Sequence, residues 1–452
     1  MTDKELISQL QGSNAFQAQQ IKLLEEKVLL LLSQIQSQSV KKDSHNSSLP
    51  PSSDIVSKPK NLRVSSGLKS GGQLGHKGTT LEISATPDKI IDLKSSFCSN
   101  CGQNLQDSIF TLQATRQVVE IPPIKPIYEE YRQYTCQCPH CQNQQIADFP
   151  IGVNAPIQYG SSVESLVSYF SVYQYIPFKR LQNVFSQVFS MPLSEGSIGN
   201  ILERSAQKCT GIYQIIKQQI ANSSVVGADE TGAKVNGAKW WIWVWQNLLN
   251  TFIVASDNRG SQTINSVWKD GLPNATLISD RWAAQLKSTV KNHQLCLAHL
   301  LRELIFLEES ELQPFAKSFK ELIVSIFDTR KIIVKAYLSD SIEAITFENR
   351  LNELLLITID RELSPNTAVF QASMIKYRNY LLPCLYNLDI PPDNNGSERA
   401  IRNVKVKQKV SGQFKTGQSA FCIIRSVIDT LLKRKLEVLP YLNQIIKLQP
   451  VS

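Results

Sequence analysis

Val225-Val-Gly-Ala-Asp229-Glu230-Thr231-Gly232 is an apolar run that stops on a carboxylate in mid-strand. Short aromatic and aliphatic runs follow it. Ala238 to Trp245 alternates with period two and puts Trp241, Trp243 and Trp245 on one face, and Thr251 to Ala255 reads as a third strand. Turn residues separate these runs. A helix is expected around Gln262 to Lys269, and Ala275-Thr-Leu-Ile278 is a fourth apolar run that ends at Ser279-Asp280. Far downstream, Asn394-Asn-Gly-Ser-Glu398-Arg399 opens a predicted helix and supplies a third acid. Side chains alternate along a strand, so Glu230 is expected on the face opposite Asp229 and is left out of any group that Asp229 builds.

Three hairpin-linked strands, a helix and a strand give the order that a ribonuclease H-like sheet needs, with Asp229 inside the first strand and Asp280 just past the fourth. Any one of these acids taken alone is more often a solvated surface residue. Three acids brought together from separate elements suit Mg²⁺, a hard cation that takes oxygen ligands. Two such ions about 3.5–4 Å apart activate an attacking oxygen and stabilise a leaving one, which is the chemistry of phosphodiester cleavage and strand transfer.

The segments Ala228-Asp-Glu-Thr231, Ser279-Asp-Arg-Trp-Ala283, Gln294-Leu-Cys-Leu-Ala-His299 and Asn394-Asn-Gly-Ser-Glu-Arg-Ala-Ile-Arg402 resemble, in this order and spacing, the transposases of the insertion sequence 66 type. These lie within the larger group named for two aspartates and one glutamate. The pieces Asn46-Ser-Ser-Leu-Pro-Pro-Ser-Ser-Asp54 and Gly71-Gly-Gln-Leu-Gly-His-Lys-Gly78 look like recurrent signatures of the same family, so the likeness covers nearly the whole chain. One departure is Arg281, where a glycine is expected after the second aspartate. The resemblance implies a DNA transposase that hydrolyses a phosphodiester at each 3′ end of its element and then uses the freed 3′ hydroxyl to attack target DNA. Asp229 and Asp280 would hold Mg²⁺ or Mn²⁺, and Glu398 would complete the site. Accessory proteins of the same element are implied as partners. Two rival readings are a catalytically decayed zinc-containing DNA-binding protein and a ribonuclease H-like nuclease without strand transfer.

The rest of the chain extends this picture to a multidomain α+β protein. At 452 residues and 42% hydrophobic it can bury several cores, and a formal charge of +9 favours a polyanionic partner, DNA. No apolar run is long enough to cross a bilayer, so a cytoplasmic, nucleoid-associated protein is expected. Residues 1–40 carry a heptad pattern, with Ile7, Leu10, Asn14, Gln17, Ile21, Leu24, Val28, Leu31 and Ile35 at alternating a and d positions. This predicts a coiled coil and a homo-oligomer, against the plainer alternative of an amphipathic helix docked on its own chain. Residues 41–85 are rich in Ser, Pro, Gly and Lys and read as a flexible basic linker. In 86–150, Cys98-Ser-Asn-Cys101 and Cys138-Pro-His-Cys141 have the spacing of a structural Zn²⁺ site, with Cys136 an alternative ligand to Cys138 and His140 a weaker rival. Arg116 to Tyr134 between them reads as strands. Residues 151–220 look helical, and Pro177 to Phe189 with Ser194 to Ala206 could form either a DNA-binding helix-turn-helix or a plain helical hairpin.

The ribonuclease H-like core is assigned to 221–305 and 389–452, with an all-helical insertion over 306–388 that includes patterns at Phe315 to Leu338 and Ile342 to Ile359. His293, Cys296 and His299 recur every three residues along a predicted helix and are read as structural or supporting groups rather than metal ligands. Arg399, Arg402, Lys405, Lys407, Lys409 and Lys415 form a basic strip beside the proposed site and are candidates for neutralising DNA phosphates. The ordinary alternative for Glu398 is an ion pair with Arg402 one helical turn on.

Overall fold

The computed structural model of the chain describes residues 3–43, 45–47, 71–72, 75–78, 80–311, 313–333, 336–337 and 340–448. Most of the 41–85 linker, the greater part of Asn46 to Asp54 and two positions of Gly71 to Gly78 lie outside the described residues, as do the side chains of the heptad positions Ile7 and Leu10.

Helix α1, Asp3–Ser39, carries Ile21, Leu24, Val28, Leu31 and Ile35 exposed along its length. Strands β1, Thr135–Gln137, and β2, Gln144–Ile146, then form a two-stranded antiparallel ribbon around the second cysteine pair. The predicted strands over Arg116 to Tyr134 do not form, for that stretch has no regular structure. Its apolar residues, Val118, Ile121 and Ile127 among them, are exposed, and a strand with nothing to bury against is not stable by itself.

Three helices lead to the sheet: α2, Ser161–Ser168, continued by a π-helical turn over Tyr169–Tyr173; α3, Phe178–Val188; and α4, Glu195–Ala221. Ser194 caps α4 by accepting from the Ser197 N–H at 3.0 Å. The helix runs for 27 residues and buries Ile198, Ile201, Cys209, Ile216 and Ile220, so it is a core helix lying across the molecule. Ile198 and Ile201 close a small core with Leu181 and Phe185 of α3, as both a helix-turn-helix and a plain helical hairpin require, while Glu195, Gly196, Asn200 and Glu203 on the other side of the first turns of α4 are exposed.

The main sheet follows: β3, Val225–Val235; β4, Ala238–Gln246; β5, Thr251–Ser256; α5, Ser261–Val267; β6, Leu272–Ser279; α6, Ala283–Leu286; and β7, Val290–Leu295. Its order is β5-β4-β3-β6-β7. The pairs β3/β4 and β4/β5 are antiparallel hairpins, and β3/β6 and β6/β7 are parallel. The central strand is thus the one that bears Asp229. Glu230 is opposite Trp243 and Ala228 opposite Trp245, so these residues share one face with Val226, packed on α4. Asp229 is opposite Val244 and belongs to the other face, with Ala233, Val235, Ile242 and Ile253.

Helices α7, Leu297–Ser310; α8, Pro314–Ile332; α9, Ile342–Leu356; α10, Pro365–Lys376; and α11, Pro383–Tyr386, build a separate helical core around Phe315, Phe319 and Phe370. The chain then returns to the sheet through α12, Asn395–Ser411; α13, Gln418–Lys433; and α14, Val438–Leu448. Ala400 and Val404 of α12, with Ile424 and Ile428 of α13, cover the Asp229 face. Among the described residues no helix is long and apolar enough to cross a membrane.

Candidate active site

The start of α12 lies directly on β3, and two glycines allow it. A Cβ on Gly227 would stand 2.5 Å from Gln246 Nε2, 2.6 Å from Asn394 Oδ1 and 2.9 Å from Ser397 Oγ, and one on Gly396 would stand 2.5 Å from Gln246 Nε2. With both absent, Asn394 Nδ2 donates to the Ala228 carbonyl at 2.6 Å, and Ser397 Oγ donates to Asn394 Oδ1 at 2.7 Å. The Asn-Asn-Gly-Ser-Glu motif is therefore a docking device, which fixes where Glu398 leaves α12.

Asp229 projects from β3 on that same face. It keeps some exposure to solvent, yet protein surrounds most of it, and this burial is the first cause that pushes its carboxyl well above the usual range. The charges of Asp280, Glu230 and Glu398 push it further, while the Glu230 N–H, donating to Asp229 Oδ1 at 2.8 Å, acts the other way. Asp280 follows β6 directly and accepts from the Trp282 N–H at 2.8 Å, a turn that aims the strand end. The three acids thus come from a strand, a strand end and a helix, and their charges meet at Asp229. Their oxygens are not drawn into one tight cluster: among the described residues, the group of three ligand-type atoms all within 4.8 Å of one another is Cys296, His299 and Glu398.

Glu398 does not use Arg402. Arg302 NH2 of α7 donates to its Oε1 at 3.1 Å, and His299 Nε2 lies 3.6 Å from the same oxygen. Burial and the Arg302 charge hold the His299 imidazole below its ordinary pKa, with Glu398 and Asp280 acting in the opposite direction. The expected helix through His293, Cys296 and His299 is corrected here. His293 lies in β7, Cys296 is the residue before α7, and His299 stands in its first turn. Polar residues filled the inner positions of β7 and hid it: Gln294 is fully buried, donates to the Leu381 carbonyl at 3.3 Å and accepts from the Cys384 N–H at 2.9 Å. Cys296 is anchored between sheet and helix, its N–H on the Ser279 carbonyl at 2.8 Å and its Sγ accepting from the Asn394 N–H at 3.2 Å.

Glu230, on the opposite face, is paired with Arg259 at 2.9 Å and bonded by Gln285 Nε2 at 2.5 Å. Arg259 also stacks over Trp282 at 3.9 Å and Trp241 at 4.7 Å, a brace under the site with no signal in the local sequence. Arg281, the departure from the family pattern, pairs with Glu303 and donates to Ser373 Oγ at 2.9 Å, tying the end of β6 to the helical insertion. Beside it lies a cavity of about 410 Å³, lined by Asp280, Cys296, His299 and Glu303 on one side and by Lys42 and Asn46 on the other.

The basic strip is narrower than its spacing suggests. Arg399, Arg402, Lys409 and Lys415 are exposed, but Lys405 donates to the Gly232 carbonyl at 3.0 Å, and Lys407 is buried with its Nζ 3.4 Å from the Ser171 carbonyl. Desolvation lowers both amines, Lys407 to about 8. These two lysines pack the helix and do not face outward.

The two cysteine knuckles share one geometry. The Cys98 N–H donates to Gln103 O at 2.8 Å and the Gly102 N–H to Cys98 O at 2.9 Å; Cys138 with Asn143 and Gln142 repeats the pattern at 2.9 Å and 2.9 Å. Gly102 and Gln142 both turn back with φ of 73° and 60°. Backbone N–H groups of Cys101 and Asn100 hold the Cys98 thiol below its usual range, and those of Cys141 and His140 do the same for Cys138. Amides aimed at sulfur favour thiolates, so these knuckles fit a zinc ion. Cys136 lies outside them, exposed on β1. The structure pairs the thiols within each knuckle but brings no three of the four within 4.8 Å of one another.

Residues 95–142 match the zinc-finger binding domain of transposase IS66. A search of curated proteins gives no match. Residues 156–421, more than half of the 452, match the Transposase IS66 family, and the chain belongs to that family.

Proposed function

We propose that the chain is a DNA transposase that cuts the 3′ ends of its element and joins them to target DNA at a site built from Asp229, Asp280 and Glu398. The observation that carries this reading is the meeting of three acids from β3, the end of β6 and α12 around one partly buried carboxylate. A carboxylate whose ionisation is opposed by burial and by neighbouring acids is short of positive charge, which divalent cations supply. The sheet order, with two antiparallel hairpins and two parallel additions, supports a ribonuclease H-like catalytic domain.

Mg²⁺ or Mn²⁺ bound there would polarise the phosphodiester and lower the pKa of the attacking water or 3′ hydroxyl. Asp229 and Asp280 provide the inner ligands. Glu398 completes the set, steadied by Arg302. Arg399, Arg402, Lys409 and Lys415 lie on the outward side of α12 and the loop after it, where they neutralise phosphates and orient the strand. Zinc held by Cys98, Cys101, Cys138 and Cys141 would order a second DNA-contacting module, and α1 would join copies of the chain through its exposed apolar side chains.

The test is cleavage and joining of oligonucleotides bearing the native element ends in Mg²⁺, with any accessory proteins encoded beside the gene. The wild type should nick and join, and Asp280→Asn should bind the ends without cutting. Cutting that survives Asp280→Asn, or end binding with no metal-dependent product from the complete set of proteins, would overturn the proposal.

A further inference from the structure

We propose that Cys296, His299 and Glu398 form a second zinc-class site, separate from the knuckles, and that filling it withdraws Glu398 from the other two acids. The geometry carries the idea. One ligand atom of each residue lies within 4.8 Å of the other two, although they come from the end of β7, the first turn of α7 and the first turn of α12. His299 Nε2 and Glu398 Oε1 are 3.6 Å apart, too long for a hydrogen bond. It is near the roughly 3.3 Å that tetrahedral geometry sets between nitrogen and oxygen ligands each about 2.0 Å from zinc.

The donor set also selects the ion. Sulfur, nitrogen and one oxygen suit Zn²⁺ and do not suit Mg²⁺, which takes oxygen ligands and keeps its waters. With Cys296 as thiolate and Glu398 ionised, the ion's charge is cancelled. Burial pushes the Cys296 thiol up to about 12, so the ion must expel its proton, as coordination does. The resulting thiolate already has one donor, the Asn394 N–H at 3.2 Å. His299 Nδ1 is buried without a hydrogen-bond partner, and a neutral ring that carries its proton there would offer the Nε2 lone pair to an ion on the Glu398 side. The cavity of about 410 Å³ reaches both Cys296 and His299, giving the ion a way in and a fourth ligand from water. Arg302 holds Glu398 through Oε1 and must yield, or Glu398 must turn its other oxygen to the ion. The consequence for activity rests on the transposase reading: zinc should compete with Mg²⁺ by taking its third acid.

The test counts zinc per chain without DNA, after equilibration of the full-length protein in zinc-buffered solution, so failure of the transposase reading leaves it untouched. The wild type should hold two equivalents. Cys296→Ala and His299→Gln should each hold one, and the knuckle variant Cys101→Ser/Cys141→Ser should also hold one. His299 is partly exposed, so His299→Gln carries the test if Cys296→Ala does not fold, with a melting curve as the check. A knuckle variant that binds none, or a His299→Gln chain that still holds two, would overturn the inference.

Discussion

The main sheet buries both of its faces: Trp243, Ile242, Val244 and Ile253 are wholly shielded from solvent, and helices from both ends of the chain lie across them. Residues 80–160 behave in the opposite way. None of them is buried, and Ile109, Leu93 and Ile127 are about as exposed as side chains in an extended chain. The sheet is therefore held by its own apolar surface, whereas the knuckle segment has almost no internal contacts beyond its turns and a three-residue ribbon. A segment of this kind takes its stability from outside, from a metal or a partner surface.

Removing zinc should separate the two regions most sharply. With a chelator, or in Cys101→Ser/Cys141→Ser, amide exchange over 95–142 should become as fast as in an unfolded peptide, while exchange in β3, β4 and β6 stays unchanged. Equal protection of both regions after chelation would mean that the knuckles stand without the ion. Second in size is Gly227→Ala, where the new methyl meets Gln246, Asn394 and Ser397 inside 3 Å. We expect a loss of about 2–3 kcal/mol in chemical denaturation, the range of overpacked cores, with no change in zinc binding. Asn394→Ala should cost less, about 1–2 kcal/mol, since it removes the bond to the Ala228 carbonyl and leaves that acceptor in a dry contact.

The same contrast explains what could be read without coordinates. Short, nearly continuous apolar runs in β3, β4 and β5 are the mark of a sheet with two covered faces, so those strands and Asp229 were legible. Strand β7 was not, because its buried residues include His293 and Gln294, and the Gln294 side chain bonds to the distant insertion. Lys405 and Lys407 look like their exposed neighbours in composition, and only the fold turns them inward. The Arg302–Glu398 pair spans 96 positions and leaves no local trace. In the knuckle segment the reverse held: cysteine spacing, a pattern of metal-ligand chemistry, was plain, whereas the apolar run from Arg116 to Tyr134 suggested strands that have no partner surface here.

The smallest expected effect concerns Asp229, and its sign sharpens the comparison most. Its folded carboxyl is raised above the ordinary value by burial first and by the charges of Asp280, Glu230 and Glu398 after it. Between the unfolded and the folded pKa the native state therefore holds more protons than the unfolded one, so stability falls as pH rises through that window. At neutral pH and without divalent ions, Asp229 is a liability to the sheet that carries it. Asp229→Asn should raise the melting temperature slightly at pH 7, lose that advantage near pH 4, and abolish DNA cleavage. Added Mg²⁺ should stabilise the wild type and leave the variant unmoved, because the ion is held by the charge that the substitution removes. A variant that melts lower than the wild type at pH 7 in chelator would show that Asp229 supports the fold, and its place at the centre of the sheet would then be structural.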